Sequence, residues 1–146
     1  MSINFSDGMA GVSRERPTGL FGQGGGGGGG STFLGAPILS SPNAGTPTTD
    51  GSTGQSVVTD QGSGTLYWGV VTNGGTATDA QLKAGTGGNL VGTAGNRGSL
   101  TVNASGTQSP GTITGLTTAT TYQILYLHTN ALSKDSAQVS VSLTTA

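Results

Sequence analysis

The chain has 146 residues, of which 29 are glycine, whereas only 32% are hydrophobic and 8% are charged. The net charge of −1 provides no electrostatic attraction for nucleic acid or for an anionic membrane. The absence of cysteine excludes a disulfide scaffold and a cysteine-ligated metal site. No run has the length of a membrane helix, and residues 1–20 lack the apolar centre of a signal peptide. These features predict a protein that is made in a cytoplasm and stays soluble or assembles there.

The residue types are distributed unevenly along the chain. Residues 1–35 contain 12 of the glycines, whereas the tryptophan and all three tyrosines follow residue 60. A chain this poor in apolar residues cannot pack a core along its whole length. We therefore predict an extended glycine-rich arm over residues 1–35 and one compact domain over residues 36–146.

The arm contains an unbroken run of seven glycines, residues 24–30, and apolar residues without helical or strand periodicity. Glycine loses more entropy than any other residue when it becomes ordered, so this run cannot fold alone. One interpretation is a disordered linker. The other is an arm that becomes ordered over a neighbouring subunit, with Phe5, Phe21 and Phe33 as candidate partner-binding residues.

From Ala36 onward the sequence shows short apolar runs separated by turn residues. Runs of this length and spacing predict a β-sandwich, with Trp68 at the centre of its core. In the last run, apolar and polar residues alternate as in a half-buried strand. The predicted strands are residues 37–40, 56–60, 66–72, 99–104, 112–116, 122–129 and 138–143, with a turn-rich segment over residues 43–53.

One short helix is predicted within this domain. Thr78 is a suitable N-cap, Gly85 a suitable C-cap, and Leu82 would face inward. The glycine-rich residues 85–98 that follow are expected to form a flexible loop, with Arg97 near its tip.

Residues 113–129 form the most informative stretch. Gly115 and Leu116 end one apolar run, a threonine-rich turn follows, and Tyr122 begins a segment with period-two alternation. A tyrosine just after such a turn is typical of the tyrosine corner of immunoglobulin-like sandwiches, where its hydroxyl bonds backbone a few residues upstream.

The strand after this corner has apolar residues on both faces. Leu125 and Leu127 lie on the face that would normally be solvated. A second subunit could cover them, which would make them candidate partner-binding residues and the protein a homo-oligomer. Alternatively, the arm or a loop of the same chain could cover them.

Candidate residues for chemistry are few. His128 is the only histidine, so neither a histidine-based metal site nor a Ser-His-Asp triad has supporting residues, and a structural strand histidine is the simpler interpretation. Asp50, Asp60 and Asp79 lack the spacing of a calcium loop and suit turns and caps. We predict no catalytic, cofactor-binding or metal site, and an enzyme is the least supported class.

Residues 65–85 (TLYWGVVTNGGTATDAQLKAG) and 113–146 resemble a family of fibronectin type III-like domains. Such domains are common in bacteriophage and prophage virion proteins and in bacterial surface proteins. Three features carry the resemblance: the Leu-Tyr-Trp strand leading to a Gln-x-Lys-x-Gly helix, the Gly-Leu-x5-Tyr corner, and the Thr-Thr-Ala sequence that follows the last strand. The resemblance covers about residues 36–146 and implies an all-β, fibronectin type III/immunoglobulin-like sandwich.

The resemblance also implies a function. We expect a non-enzymatic capsid decoration or cement protein of a phage virion, assembled in the host cytoplasm and anchored by its arm. Its partners would be the major capsid protein or other virion proteins. A tail, baseplate or fibre component with an adhesion-type sandwich remains an alternative, because this fold serves many functions. A carbohydrate- or surface-binding module is a further one, although it would require exposed aromatic residues.

Overall fold

The computed structural model describes residues 34–146, and the compact unit within them runs Gly35–Ala146. Strands form most of this unit, with one short helix and one 3-10 turn. The strands are β1 (Leu39–Asn43), β2 (Thr46–Thr48), β3 (Gly51–Thr59), β4 (Gly64–Thr72), β5 (Arg97–Val102), β6 (Gly106–Ile113), β7 (Thr121–Thr129) and β8 (Val139–Thr144); the helix α1 spans Asp79–Ala84 and the 3-10 turn η1 spans Ala94–Asn96. The predicted all-β class is confirmed.

The strands form two antiparallel sheets. One sheet has the order β8-β7-β4-β5. In the other, β3 is central; β6 lies along one side of it, while β1 and β2 follow one another along the other side. Residues from both sheets meet in one apolar cluster, so the sheets pack face to face around it.

The cluster between the sheets, called the inner core here, contains Trp68, which is 5% exposed. The central position predicted for this side chain is confirmed. The alternation predicted for the last strand is also confirmed, since Leu143 is buried and both valines of β8 pack against the inner core. The buried members are Leu39, Val57, Leu66, Trp68, Val70, Val102, Ile113, Leu116, Tyr122, Ile124, Tyr126 and Leu143.

The first strand and the turn-rich segment differ from their predictions. The ladder of β1 begins at Leu39, which pairs with Thr59, and Ile38 before it is 66% exposed. Residues 43–53 contain β2 and the first part of β3. Their threonines, serines and glycines carry no apolar periodicity, so pairing with neighbouring strands determines their conformation.

Strand β6 also lies elsewhere than predicted, at Gly106–Ile113 rather than at residues 112–116. Its sequence contains Pro110 and Gly111, which are tolerated because β6 is at a sheet edge and its register with β3 shifts. The predicted flexible loop over residues 85–98 contains η1 and ends in β5. Arg97 begins this strand, and its Nη1 donates to the Val91 carbonyl over 3.0 Å, so it does not occupy a loop tip.

The predicted helix caps and the hydrogen bond of the tyrosine corner are confirmed. Thr78 and Gln81 form a reciprocal capping box, Gly85 ends α1 with a left-handed φ of 68°, and Leu82 is 1% exposed. The Tyr122 hydroxyl accepts a hydrogen bond from the backbone N–H of Thr117 over 3.1 Å, as a tyrosine corner requires. Among the described residues, no helix is both long and apolar enough to cross a bilayer.

Candidate functional site

Leu125 and Leu127 are covered by the chain itself. They are 6% and 0% exposed and belong to a second apolar cluster, called the outer cluster here, on the outer face of the β8-β7-β4-β5 sheet. Its buried members are Val71, Ala77, Leu82, Leu125 and Leu127, with Tyr67 and Leu90 packed against them. The interpretation of these leucines as a surface for a second subunit is therefore wrong, because α1 and the loops beside it already exclude solvent from them.

Polar contacts fix α1 and the loops beside it, together called the cover here, to the sheet. The Lys83 ammonium on α1 lies 2.8 Å from the Asp135 carboxylate, which also accepts from the Thr129 hydroxyl of β7 over 2.6 Å. The Gln138 side chain, just before β8, donates to the Asp79 carboxylate over 2.7 Å. The helix is thus held at two points, Asp135 and Gln138, of the segment that joins β7 to β8.

Phe5, Phe21 and Phe33 lie outside the described residues. The structure does describe the point at which the domain receives the arm, at Gly35. Its carbonyl oxygen accepts from the Asn130 Nδ2 over 2.9 Å and from the Gln61 Nε2 over 3.1 Å. Gln61 and Asn130 are buried and also bond each other over 2.8 Å. We call Gly35 with these two side chains the arm root.

A buried histidine extends this polar network. The Nε2 of His128 lies 2.9 Å from the Ser63 carbonyl oxygen and its Nδ1 lies 2.7 Å from the Thr59 hydroxyl. A carbonyl oxygen can only accept, so we assign the proton to Nε2, and Nδ1 accepts from Thr59. Both ring nitrogens therefore have protein partners, and this fully buried histidine offers neither of them to a substrate or a metal.

Exposed apolar residues lie close in the chain to the members of the arm root. Within residues 34–146, the large hydrophobic side chains with high exposure are Leu34 (38%), Ile38 (66%) and Leu132 (49%). Leu34 precedes Gly35, Ile38 follows it closely, and the Leu132 N–H donates to the side chain of Asn130 over 3.0 Å. We call Ile38 and Leu132, which both belong to the compact unit Gly35–Ala146, the root patch. Clustered exposed apolar residues mark interaction surfaces.

Sequence reasoning did not find the arm root or the root patch. Gln61 and Asn130 are ordinary polar residues at strand ends, 69 positions apart. In the sequence, Leu132 is noticeable only as an apolar residue in a polar segment. A single exposed apolar residue does not indicate a binding surface.

A shallow pocket of about 280 Å³ lies between the end of α1 and the start of β5. Its two basic residues are already engaged, Lys83 with Asp135 and Arg97 with the Val91 carbonyl. The described residues also contain no group of three or more His, Cys, Asp or Glu side chains that could hold a metal ion.

Comparison of the chain with protein-family models, with curated proteins and with solved structures finds no match.

Proposed function

We propose that this chain is a non-enzymatic structural protein of a bacteriophage particle, specifically a capsid decoration protein that attaches through its arm and its root patch. The domain would be a fibronectin type III-like sandwich. Two observations support that finer assignment: seven strand positions, counting β1 and β2 as one interrupted strand, divided three and four between the sheets, and the hydrogen-bonded tyrosine corner.

The observation that carries the proposal is the position of the root patch. The exposed Ile38 lies three residues after Gly35, where the glycine-rich arm joins the domain, and the exposed Leu132 bonds the Asn130 side chain that holds Gly35. An arm and an apolar patch at the same end can contact one partner surface together. The rest of the sandwich would then project away from that surface.

The arm root also affects the energetics of attachment. Ordering a residue costs about 1–2 kcal/mol, so a glycine-rich arm requires many partner contacts in order to bind. Gly35, in contrast, is already fixed by two hydrogen bonds before any partner is present. The root patch therefore binds with little ordering cost and places the start of the arm against the partner, where further contacts add to the affinity.

The test is co-sedimentation with undecorated capsids and, separately, with isolated tails. Four proteins are compared: the full chain, a chain lacking residues 1–33, Leu132→Asp, and Ala80→Asp. The last is the control for the added charge, because it places the same charge at an exposed apolar residue of α1 that is outside the root patch. The truncated chain keeps Gly35 and its partners, so it is expected to fold, which circular dichroism checks.

We expect the full chain and Ala80→Asp to saturate capsids at hundreds of copies per particle. The truncated chain should lose binding, and Leu132→Asp should bind at least tenfold more weakly. Binding of the truncated chain at full level would contradict the role of the arm. Binding to tails alone would overturn the capsid assignment in favour of a tail component.

A further inference from the structure

The four sheet edges of the domain differ in how they are protected against pairing with an additional strand. The edge formed by β1 and β2 carries Pro42, Pro47 and a register shift, and Ser41 has a φ of 48°. The β6 edge carries Gly106, Pro110 and Gly111, and its register with β3 shifts on either side of Gly111. Prolines, glycines and bulges are the devices by which sheet edges resist additional strands.

The remaining two edges belong to the β8-β7-β4-β5 sheet. Strand β5 begins with Arg97 and Gly98, a charge and a residue that weakens strand pairing. Strand β8 reads Val-Ser-Val-Ser-Leu-Thr and contains no charge, proline or glycine. Among the described strands, β8 is thus the edge strand without a protective residue.

The backbone groups on the open side of β8 can be identified from its ladder. The Thr145 N–H donates to the Thr120 carbonyl over 3.1 Å, in register with the pairing of β8 and β7. Hydrogen bonding alternates along an antiparallel strand, so Val139, Val141 and Leu143 bond β7, whereas Ser140 and Ser142 direct their N–H and C=O groups outward. The Ala146 N–H follows the same alternation, since it donates away from β7 to the Thr48 carbonyl.

We propose that this edge is the interface of a homodimer in which the β8 strands of two copies pair antiparallel about a two-fold axis. With the axis at Val141, Ser140 pairs with Ser142 and Val139 pairs with Leu143. Their apolar side chains then lie on one face and their hydroxyls on the other. Two four-stranded sheets would join into one continuous sheet.

A second copy is the occupant that the sequence of β8 favours. Its neutral, alternating pattern is complementary to itself in this register, so two copies meet without like charges or a mismatch of faces. The contact is small, so we expect weak association that becomes important at high local concentration. The proposal does not depend on which particle or surface the arm binds.

The first test is analytical ultracentrifugation of the full chain up to about 1 mM, a range suited to weak association. The average mass should rise toward twice the 14.2 kDa of one chain. Ser142→Pro removes an outward N–H without breaking a bond to β7 and should weaken association at least tenfold. Thr101→Pro, at an exposed position whose N–H points outward from β5, is the control and should associate as the unaltered chain does.

A second test locates the contact without a proline, in case Ser142→Pro fails to fold. The natural chain has no cysteine. Val141→Cys would face its copy as a non-hydrogen-bonded pair, with Cα atoms about 4.5 Å apart, and should form an interchain disulfide on mild oxidation. Leu100→Cys, at a half-buried position of β5, is the matched control and should form no interchain disulfide.

A chain that stays monomeric up to about 1 mM would overturn the proposal. So would association that Ser142→Pro leaves unchanged in a folded protein, because the contact would then lie elsewhere, for example in the arm. Equal cross-linking of Val141→Cys and Leu100→Cys would overturn it as well.

Discussion

Both faces of strand β7 are buried, but different parts of the chain cover them. On the inner face, Ile124 and Tyr126 are fully buried against residues from the opposite sheet. On the outer face, Leu125 and Leu127 lie beneath a six-residue helix and the loop residues around it. The inner core depends on strand pairs across the whole domain, whereas the outer cluster depends mainly on a short local segment.

This difference indicates two levels of stability. Loss of inner-core packing should unfold the domain as a unit. The cover over the outer cluster should open separately, because one short helix has few backbone hydrogen bonds and its cap and side-chain contacts hold it in place. Four experiments test this comparison.

The largest effect is expected at the inner core. Trp68→Ala should lower the free energy of unfolding by about 3–5 kcal/mol, because it leaves a large cavity between the sheets. Denaturant unfolding followed by circular dichroism measures the loss. Trp68→Phe fills most of that space and should cost less than half as much; an equal cost would show that the cavity is not the cause.

The second experiment makes the same substitution in both clusters. Leu143 in the inner core and Leu82 in the outer cluster are each 1% exposed. Leu143→Ala should destabilise the whole domain by about 3–4 kcal/mol, and Leu82→Ala by about 2 kcal/mol, because the short helix can settle into the space.

Hydrogen exchange distinguishes the two variants further. In Leu82→Ala, the amides of α1 should exchange faster while those of β4 and β7 keep most of their protection. Uniformly faster exchange in both variants would contradict the independent opening of the cover.

The third experiment removes the N-cap. The Thr78 hydroxyl accepts from the Gln81 N–H over 3.2 Å, so Thr78→Ala should destabilise α1 by about 1 kcal/mol. Exchange of the helix amides should increase with little change at Trp68, whose fluorescence reports on the inner core. Thr78→Ser keeps the hydroxyl and should restore protection; if it does not, the loss has another origin.

The smallest effect concerns pH. The hydrogen bond from Lys83, followed by that from Thr129, lowers the pKa of the Asp135 carboxyl below its ordinary value of 3.8. A lowered pKa in the folded state gives stability that is present above the ordinary value and is lost as the pH falls through the lowered one. The contribution should stay below about 1 kcal/mol, because both partners are about one-third exposed.

Acidification from neutral pH to well below the ordinary value of 3.8 should therefore accelerate exchange in α1 before it affects β7, since Asp135 becomes protonated as the pH falls through its lowered pKa. Asp135→Asn lacks the titrating group and should show a weaker pH dependence at α1. An identical pH profile in this variant would show that other carboxyls control the opening.

The sequence alone determined the features that depend on neighbouring residues. Period-two alternation identified β7 and β8, because one residue in two must face the core, whereas β4 was identified as a continuous apolar run. The helix could be predicted from Thr78 and Gly85, since its caps are bonded within the helix. The corner could be predicted from Tyr122, because its hydroxyl bonds a residue only five positions away.

The tertiary structure alone decided what lies against each surface. Strands β2 and β6 have no apolar alternation, and they are strands because β3 supplies their backbone partners. The burial of Leu125 and Leu127 depends on a helix more than 40 positions earlier in the chain. The arm root likewise joins Gly35 to Asn130 across 95 positions. Sequence patterns report local geometry and the need for burial, whereas the identity of the covering element depends on how the whole chain folds back on itself.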